Sequence, residues 1–188
     1  MSDQATTAAP TTAPASATAT APAARIPGKT PLFDLSTLDL SKIVLTREEI
    51  GRLNPHRGQM ALLDGLLYYT PDYKRGVAVW NVRGDEFWCD GHFPGNPLVP
   101  GVLQIEAGAQ LSSWLYNGRW PRPRLALFTR IVEASFRGQV KPGDKFLLLA
   151  EEIKVQEKKF ESNIQGMVNG KVVYEAQISG ISPGELPS

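Results

Sequence analysis

Residues 91–110, GHFPGNPLVPGVLQIEAGAQ, decide how this chain is read. They set one histidine, His92, in a loop stiffened by Pro94, Pro97 and Pro100 and given special backbone freedom at Gly95 and Gly101. An apolar stretch follows. Residues 102–116, VLQIEAGAQLSSWLY, have helical length, and Asn117-Gly118 is a C-terminal stop signal. The apolar side chains Val102, Leu103, Ile105, Ala107, Ala109, Leu111, Trp114 and Leu115 lie on nearly every face, which marks a buried helix. Glu106 is its only charged residue. A carboxylate in such surroundings must be paired, hydrogen-bonded or shifted toward its neutral form. His92 is thus a candidate base and Glu106 a candidate acid. The N–H of Gly101, at the helix opening, is a candidate donor to a developing oxyanion, since first-turn donors and the helix dipole favour negative charge there. Spacing alone does not separate this reading from a structural histidine and a salt-bridged glutamate.

The surrounding sequence predicts one buried helix among antiparallel strands, an α+β arrangement. Thr46 and Glu49 form a capping-box pattern for a helix at 47–53. Strands are predicted at 61–70, 75–82, 124–136, 145–155, 159–168 and 171–179. Asn169-Gly170 between the last two is a hairpin turn signal. In the last strand Val172, Tyr174, Ala176 and Ile178 alternate with Val173, Glu175 and Gln177, the pattern of a half-buried strand.

Composition bounds the rest. Residues 1–24 are almost entirely Ala, Thr, Pro and Ser and read as a disordered tail. They lack the apolar centre of a secretory signal, and their first basic residue is Arg25, late for a mitochondrial presequence. Residues 25–45 read as a linker, 46–181 as the folded domain and 182–188 as a C-terminal tail. No apolar run reaches membrane-spanning length. A single cysteine, Cys89, fits a reducing, cytoplasmic setting. Two histidines and one cysteine form no metal-ligand spacing. The net charge of +1 gives no general attraction to nucleic acid or membrane.

The block Gly91-His92-Phe93-Pro94-Gly95, Pro97, Pro100 to Ala107 and Ala109-Gln110 closely resembles the signature of the hot-dog-fold 3-hydroxyacyl-acyl-carrier-protein dehydratases. Pro55-His56-Arg57 with Leu62-Leu63-Asp64, and Asn81-Val82 to Glu86, resemble the same family, so the likeness runs over about residues 50–180. Glu106, where the isomerase branch carries Asp, and Val102, where it commonly carries Cys, resemble the dehydratase-only (FabZ-like) branch. Departures are Gly58-Gln59-Met60 for the usual Tyr-Pro-Phe, Gly65 for Arg, Trp88-Cys89 for two Phe, and Gly108 for Met.

The resemblance implies an antiparallel sheet wrapped around a long central helix. It implies reversible dehydration of a (3R)-3-hydroxyacyl thioester on acyl carrier protein to the trans-2-enoyl product, without a cofactor or metal. His92 would be the base. Glu106, protonated or acting through a water, would assist departure of the hydroxyl, with Gly101 and Val102 binding the thioester oxygen. It also implies a homodimer, with His92 of one subunit facing Glu106 of the other, and allows a trimer of dimers. The alternatives on this scaffold are an acyl thioesterase and a non-catalytic acyl-carrier-binding subunit.

Other residues are weighed beside these. His56 reads first as a structural histidine at the sheet's start, and second as another catalytic one. Cys89 has no neighbouring cation and reads as a small apolar filler. Arg119, Arg122 and Arg124 form a basic run that could dock the acidic carrier or a phosphopantetheine phosphate, or simply lie solvated. Lys141 and Lys145 are a weaker option of the same kind. Gly108, costing roughly 1 kcal/mol in mid-helix, reads first as close packing of another backbone against it, and second as a widened acyl channel.

Overall fold

The computed structural model describes residues 29–186; the tail expected at 1–24 lies outside them. A seven-stranded antiparallel sheet runs in the order β1-β2-β3-β5-β6-β7-β4. The strands are β1 (Leu45–Thr46), β2 (Gly65–Tyr69), β3 (Arg75–Asn81), β4 (Leu127–Phe136), β5 (Lys145–Gln156), β6 (Lys159–Val168) and β7 (Lys171–Ile181). One long helix, α2 (Gly101–Asn117), crosses the concave side, and a single turn, α1 (Arg47–Ile50), precedes the sheet.

Local signals explain several of these elements. Thr46 caps α1: its hydroxyl accepts from the Glu49 N–H while the Glu49 carboxylate accepts from the Thr46 N–H. Asn169 and Gly170 both take positive φ, 49° and 75°, the two-residue turn that matches strand twist. The first long strand begins later than its apolar pattern suggests. Gly58–Met60 form a 3₁₀ turn, and Leu62 and Leu63 sink into the core before β2 starts.

The core lies between α2 and the sheet. From Gln104 to Asn117 every helix residue except Glu106 is buried. Leu111, Leu115, Ala107 and Ile105 meet Phe146, Leu148, Ile164 and Tyr174. Gly108 is tight for a different reason than expected. A Cβ there would lie 2.4 Å from the Tyr174 hydroxyl and 2.8 Å from Ile164 Cδ1, so side chains rather than a second backbone fill the space.

The stretch read as a linker does more than connect. Leu32, Phe33, Leu35, Leu38 and Leu40 pack on the outer face of the sheet, over Leu67, Val77, Val79, Leu149, Met167 and Val172. Gln165 fastens the segment, accepting from the Leu32 N–H at 2.9 Å and donating to the Thr30 carbonyl at 2.9 Å. The C-terminal residues are also tied down: Leu186 N–H donates to the Pro123 carbonyl at 2.8 Å. Among the described residues no helix is long and apolar enough to cross a membrane.

Candidate active site

The loop before α2 aims His92. Its Nδ1 lies 2.8 Å from the Leu98 carbonyl. A carbonyl only accepts, so Nδ1 carries the proton and Nε2 is left bare, the tautomer of a base. Phe93, held at a positive φ of 57°, sets its ring edge-on to the imidazole at 4.6 Å.

At the start of α2 the N–H groups of Leu103 and Gln104 both reach the Pro100 carbonyl, at 2.9 and 3.1 Å. The N–H groups of Gly101 and Val102 have no partner among the described residues, as first-turn donors should. No side chain caps the helix there. Val102 is largely exposed, at 72 %.

Glu106 sits one turn further on. Within the chain it pairs not with His92 but with His56, whose Nε2 lies 3.3 Å from Glu106 Oε1. Gln110 donates to the same oxygen at 2.9 Å. The bond from His56 lowers the Glu106 pKa below the ordinary carboxylate range; burial opposes this, and Gln110 adds to the lowering. The donors at Oε1 thus favour the ionised form of Glu106 despite its partial burial. A cavity of about 40 Å³ beside it is walled by Ala109, Ser113, Phe128, Phe160 and Ile178. A wider groove of about 750 Å³, lined by Arg47, Arg52 and Arg57, opens on the other side of His56.

Two further residues, His56 and Gln110, therefore join the site. His56 is not merely a sheet-start histidine. Gln110 was readable in principle, because its spacing of four from Glu106 puts both on one helix face. Cys89 is buried, and burial raises its thiol pKa, in keeping with a filler.

The basic run after α2 is largely turned inward. Arg119 donates to the carbonyls of Asp72, Tyr73 and Leu115 and stands 3.9 Å from the buried Glu152 carboxylate. Arg124 reaches Ser182 and Glu157 and lies over Trp120. Arg122 alone of the three is well exposed, beside Glu185. The guanidinium groups of Arg119 and Arg124 are thus engaged within the chain, and of the three expected docking residues Arg122 faces outward. Among the described residues no group of three or more His, Cys, Asp or Glu side chains could hold a metal ion.

Known proteins resemble this chain in sequence and in fold. The FabA-like domain model matches residues 54–177. The 3-hydroxyacyl-[acyl-carrier-protein] dehydratase FabZ of Chlamydia trachomatis is 40% identical over 143 residues, covering 73% of this chain and 92% of that protein. FabZ of Halalkalibacterium halodurans is 37% identical over 136 residues, covering 72% and 96%. Among solved structures, the dehydratase heterocomplex ApeI:P from Xenorhabdus doucetiae superposes with a TM-score of 0.60 at 17% identity, covering 71% of this chain and 90% of that one. A hypothetical thioesterase with coenzyme A from Streptococcus pneumoniae TIGR4 gives 0.51 at 11% identity, covering 65% and 87%. The two structures establish the class, a hot-dog fold. Fold alone does not choose among the chemistries that this scaffold hosts. The sequence relatives do: the chain belongs to the FabA-like family, among the FabZ-type 3-hydroxyacyl-[acyl-carrier-protein] dehydratases.

Proposed function

We propose that the chain reversibly dehydrates (3R)-3-hydroxyacyl thioesters carried on acyl carrier protein to the trans-2-enoyl product, in fatty-acid or related lipid biosynthesis. The observation that carries this reading is the His92 tautomer. Its Nδ1 is anchored to Leu98 and its Nε2 is bare, inside the Gly-His-Phe-Pro-Gly loop. Nε2 takes the proton from C2 of the substrate. The enolate-like oxygen that develops is met by the N–H groups of Gly101 and Val102 at the positive end of α2. Glu106, ionised, accepts a hydrogen bond from the 3-hydroxyl and fixes the direction in which the C3–O bond breaks. The electron pair left at C2 forms the C2–C3 double bond, the hydroxyl departs with the C3–O pair and takes the proton gained by His92, so that water is released and the base is restored. Proton transfer and elimination need no cofactor.

The site is completed by a second copy of the chain. Among the described residues strand β4 ends the sheet with a free edge, and Leu127, Phe128, Ile131, Val132 and Phe136 on it are exposed at 40–50 %. Such an edge favours pairing with another strand. A homodimer through β4 would cover these side chains and let His92 of one copy approach Glu106 of the other. A trimer of such dimers is compatible with this pairing.

Product analysis tests the reading. One 3-hydroxyacyl thioester on a carrier protein should yield the enoyl thioester and water. Release of free acid would make the protein a thioesterase, and an unchanged substrate would make it a binding subunit.

A further inference from the structure

Glu106 is held from two directions. His56, from the loop between α1 and the 3₁₀ turn, brings Nε2 to 3.3 Å from Oε1. Gln110 brings its amide to 2.9 Å from the same atom. Gln110 is itself fixed, accepting from the Leu62 N–H at 3.1 Å and donating to the Met60 carbonyl at 2.8 Å. Two donors therefore converge on one carboxylate oxygen, and no described residue bonds the other, Oε2.

The second nitrogen of His56 sets its tautomer. Nδ1 is buried and has no hydrogen-bond partner. A proton there would bury a donor with no acceptor, which is costly. A bare Nδ1 forgoes only an acceptor bond. His56 therefore carries a proton on Nε2, where it faces the carboxylate oxygen. Its ring also lines both the wide groove and the small cavity that holds Glu106, so it walls the carboxylate off from the groove.

We propose that His56 is a positioning residue for the dehydration step: with Gln110 it pins Oε1 of Glu106, so that Oε2 is presented to the 3-hydroxyl of the substrate. This rests on the dehydratase reading above and adds to it a side chain from the same subunit as Glu106. A glutamate without the pin samples several side-chain rotamers, and the aim of its accepting oxygen is lost.

The experiment compares wild type, His56→Ala, His56→Gln, Glu106→Gln and the double variant His56→Ala/Glu106→Gln as full chains, assayed on one 3-hydroxyacyl thioester on carrier protein. His56→Ala should lower kcat roughly ten- to hundredfold, the scale of a hydrogen bond to a charged group, with KM within about twofold. His56→Gln, whose amide can reach the Nε2 position, should recover most of the rate. In the Glu106→Gln background His56→Ala should cost nothing further, because the two residues act as one unit. If His56→Ala fails to fold, His56→Phe, which keeps the ring without the donor, takes its place. An active wild type with an unchanged kcat in the donor-less variant overturns the proposal. So does a loss that simply adds to that of Glu106→Gln. A wild type that forms no enoyl product overturns the dehydratase reading instead.

Discussion

The imidazole Nδ1 of His92 and the carbonyl of Leu98 lie 2.8 Å apart, and this one bond fixes which ring nitrogen is free. His92→Asn separates the two jobs of the ring, since an amide can keep the bond to Leu98 and cannot replace Nε2 as a base. Its turnover should fall by about a thousandfold, on the scale of losing a positioned general base, while its melting temperature stays near wild type. Steady-state kinetics with thermal melting checks this, and a well-folded His92→Asn protein with near-normal turnover would remove His92 from the mechanism.

Glu106→Gln keeps size but not charge. With its amide oxygen still taken by His56 and Gln110, the NH₂ group faces the substrate hydroxyl and cannot accept its proton as the carboxylate does. Turnover should drop steeply, and Glu106→Asp, which retains the charge, should be milder. Mixing His92→Asn with Glu106→Gln tests the shared site directly. Random exchange makes about half the dimers mixed, each with one intact site, so recovery should approach about a quarter of wild-type activity. Verified subunit exchange without recovered activity would place both groups in one chain.

Glu152 gives a pH signature unrelated to catalysis. It lies buried under α2, with the hydroxyls of Ser112 and Ser162 each 3.1 Å from Oε1. Burial pushes its pKa up to about 8, against the lowering pull of Arg119 and the two serines. The folded state therefore binds a proton that the unfolded chain releases near the ordinary glutamate value. Its contribution is fully present below the unfolded pKa and is lost as pH rises through about 8. Glu152→Gln should match wild type in melting temperature near pH 5 and exceed it near pH 9. Equal losses for both proteins across that range would show that Glu152 ionises freely in the fold.

Gly108→Ala should destabilise although alanine favours helix. The new Cβ would stand 2.4 Å from the Tyr174 hydroxyl and 3.0 Å from Ile164 Cβ. Overpacking of this kind costs about 1–3 kcal/mol, against a propensity gain of roughly 1 kcal/mol. The Tyr174 hydroxyl is buried without a partner. Tyr174→Phe should therefore be well tolerated and should relieve much of the Gly108→Ala penalty, as read by denaturant midpoints.

What was legible in the sequence was local. The extent of α2 follows from its apolar run and from Asn117-Gly118, and the β6–β7 turn from Asn169-Gly170. His92 was singled out by its loop and Glu106 by being the only charge on an apolar helix. The pairing of His56 with Glu106 was not legible, because fifty residues separate them and no periodicity links a loop to a helix face. The same holds for Leu32, Phe33, Leu35, Leu38 and Leu40, whose partners form a surface only once five distant strand segments stand side by side. The inward turn of Arg119 was not legible for a related reason. A basic run looks solvated until the carbonyls of Asp72 and Tyr73 are seen beneath it.

The two margins of the sheet are unequal, and that inequality sets a stopping rule. At one margin β1 offers only Leu45 and Thr46, too short a template to recruit another strand. At the other, β4 is ten residues long with one side unpaired among the described residues. When two copies meet across a two-fold axis, each spends its only long margin on the other, and no third strand set can be added in line. Under the proposed pairing, raising the concentration of the chain would yield more pairs and not a longer ribbon. A protein built largely of antiparallel strands would thereby keep clear of fibrous growth.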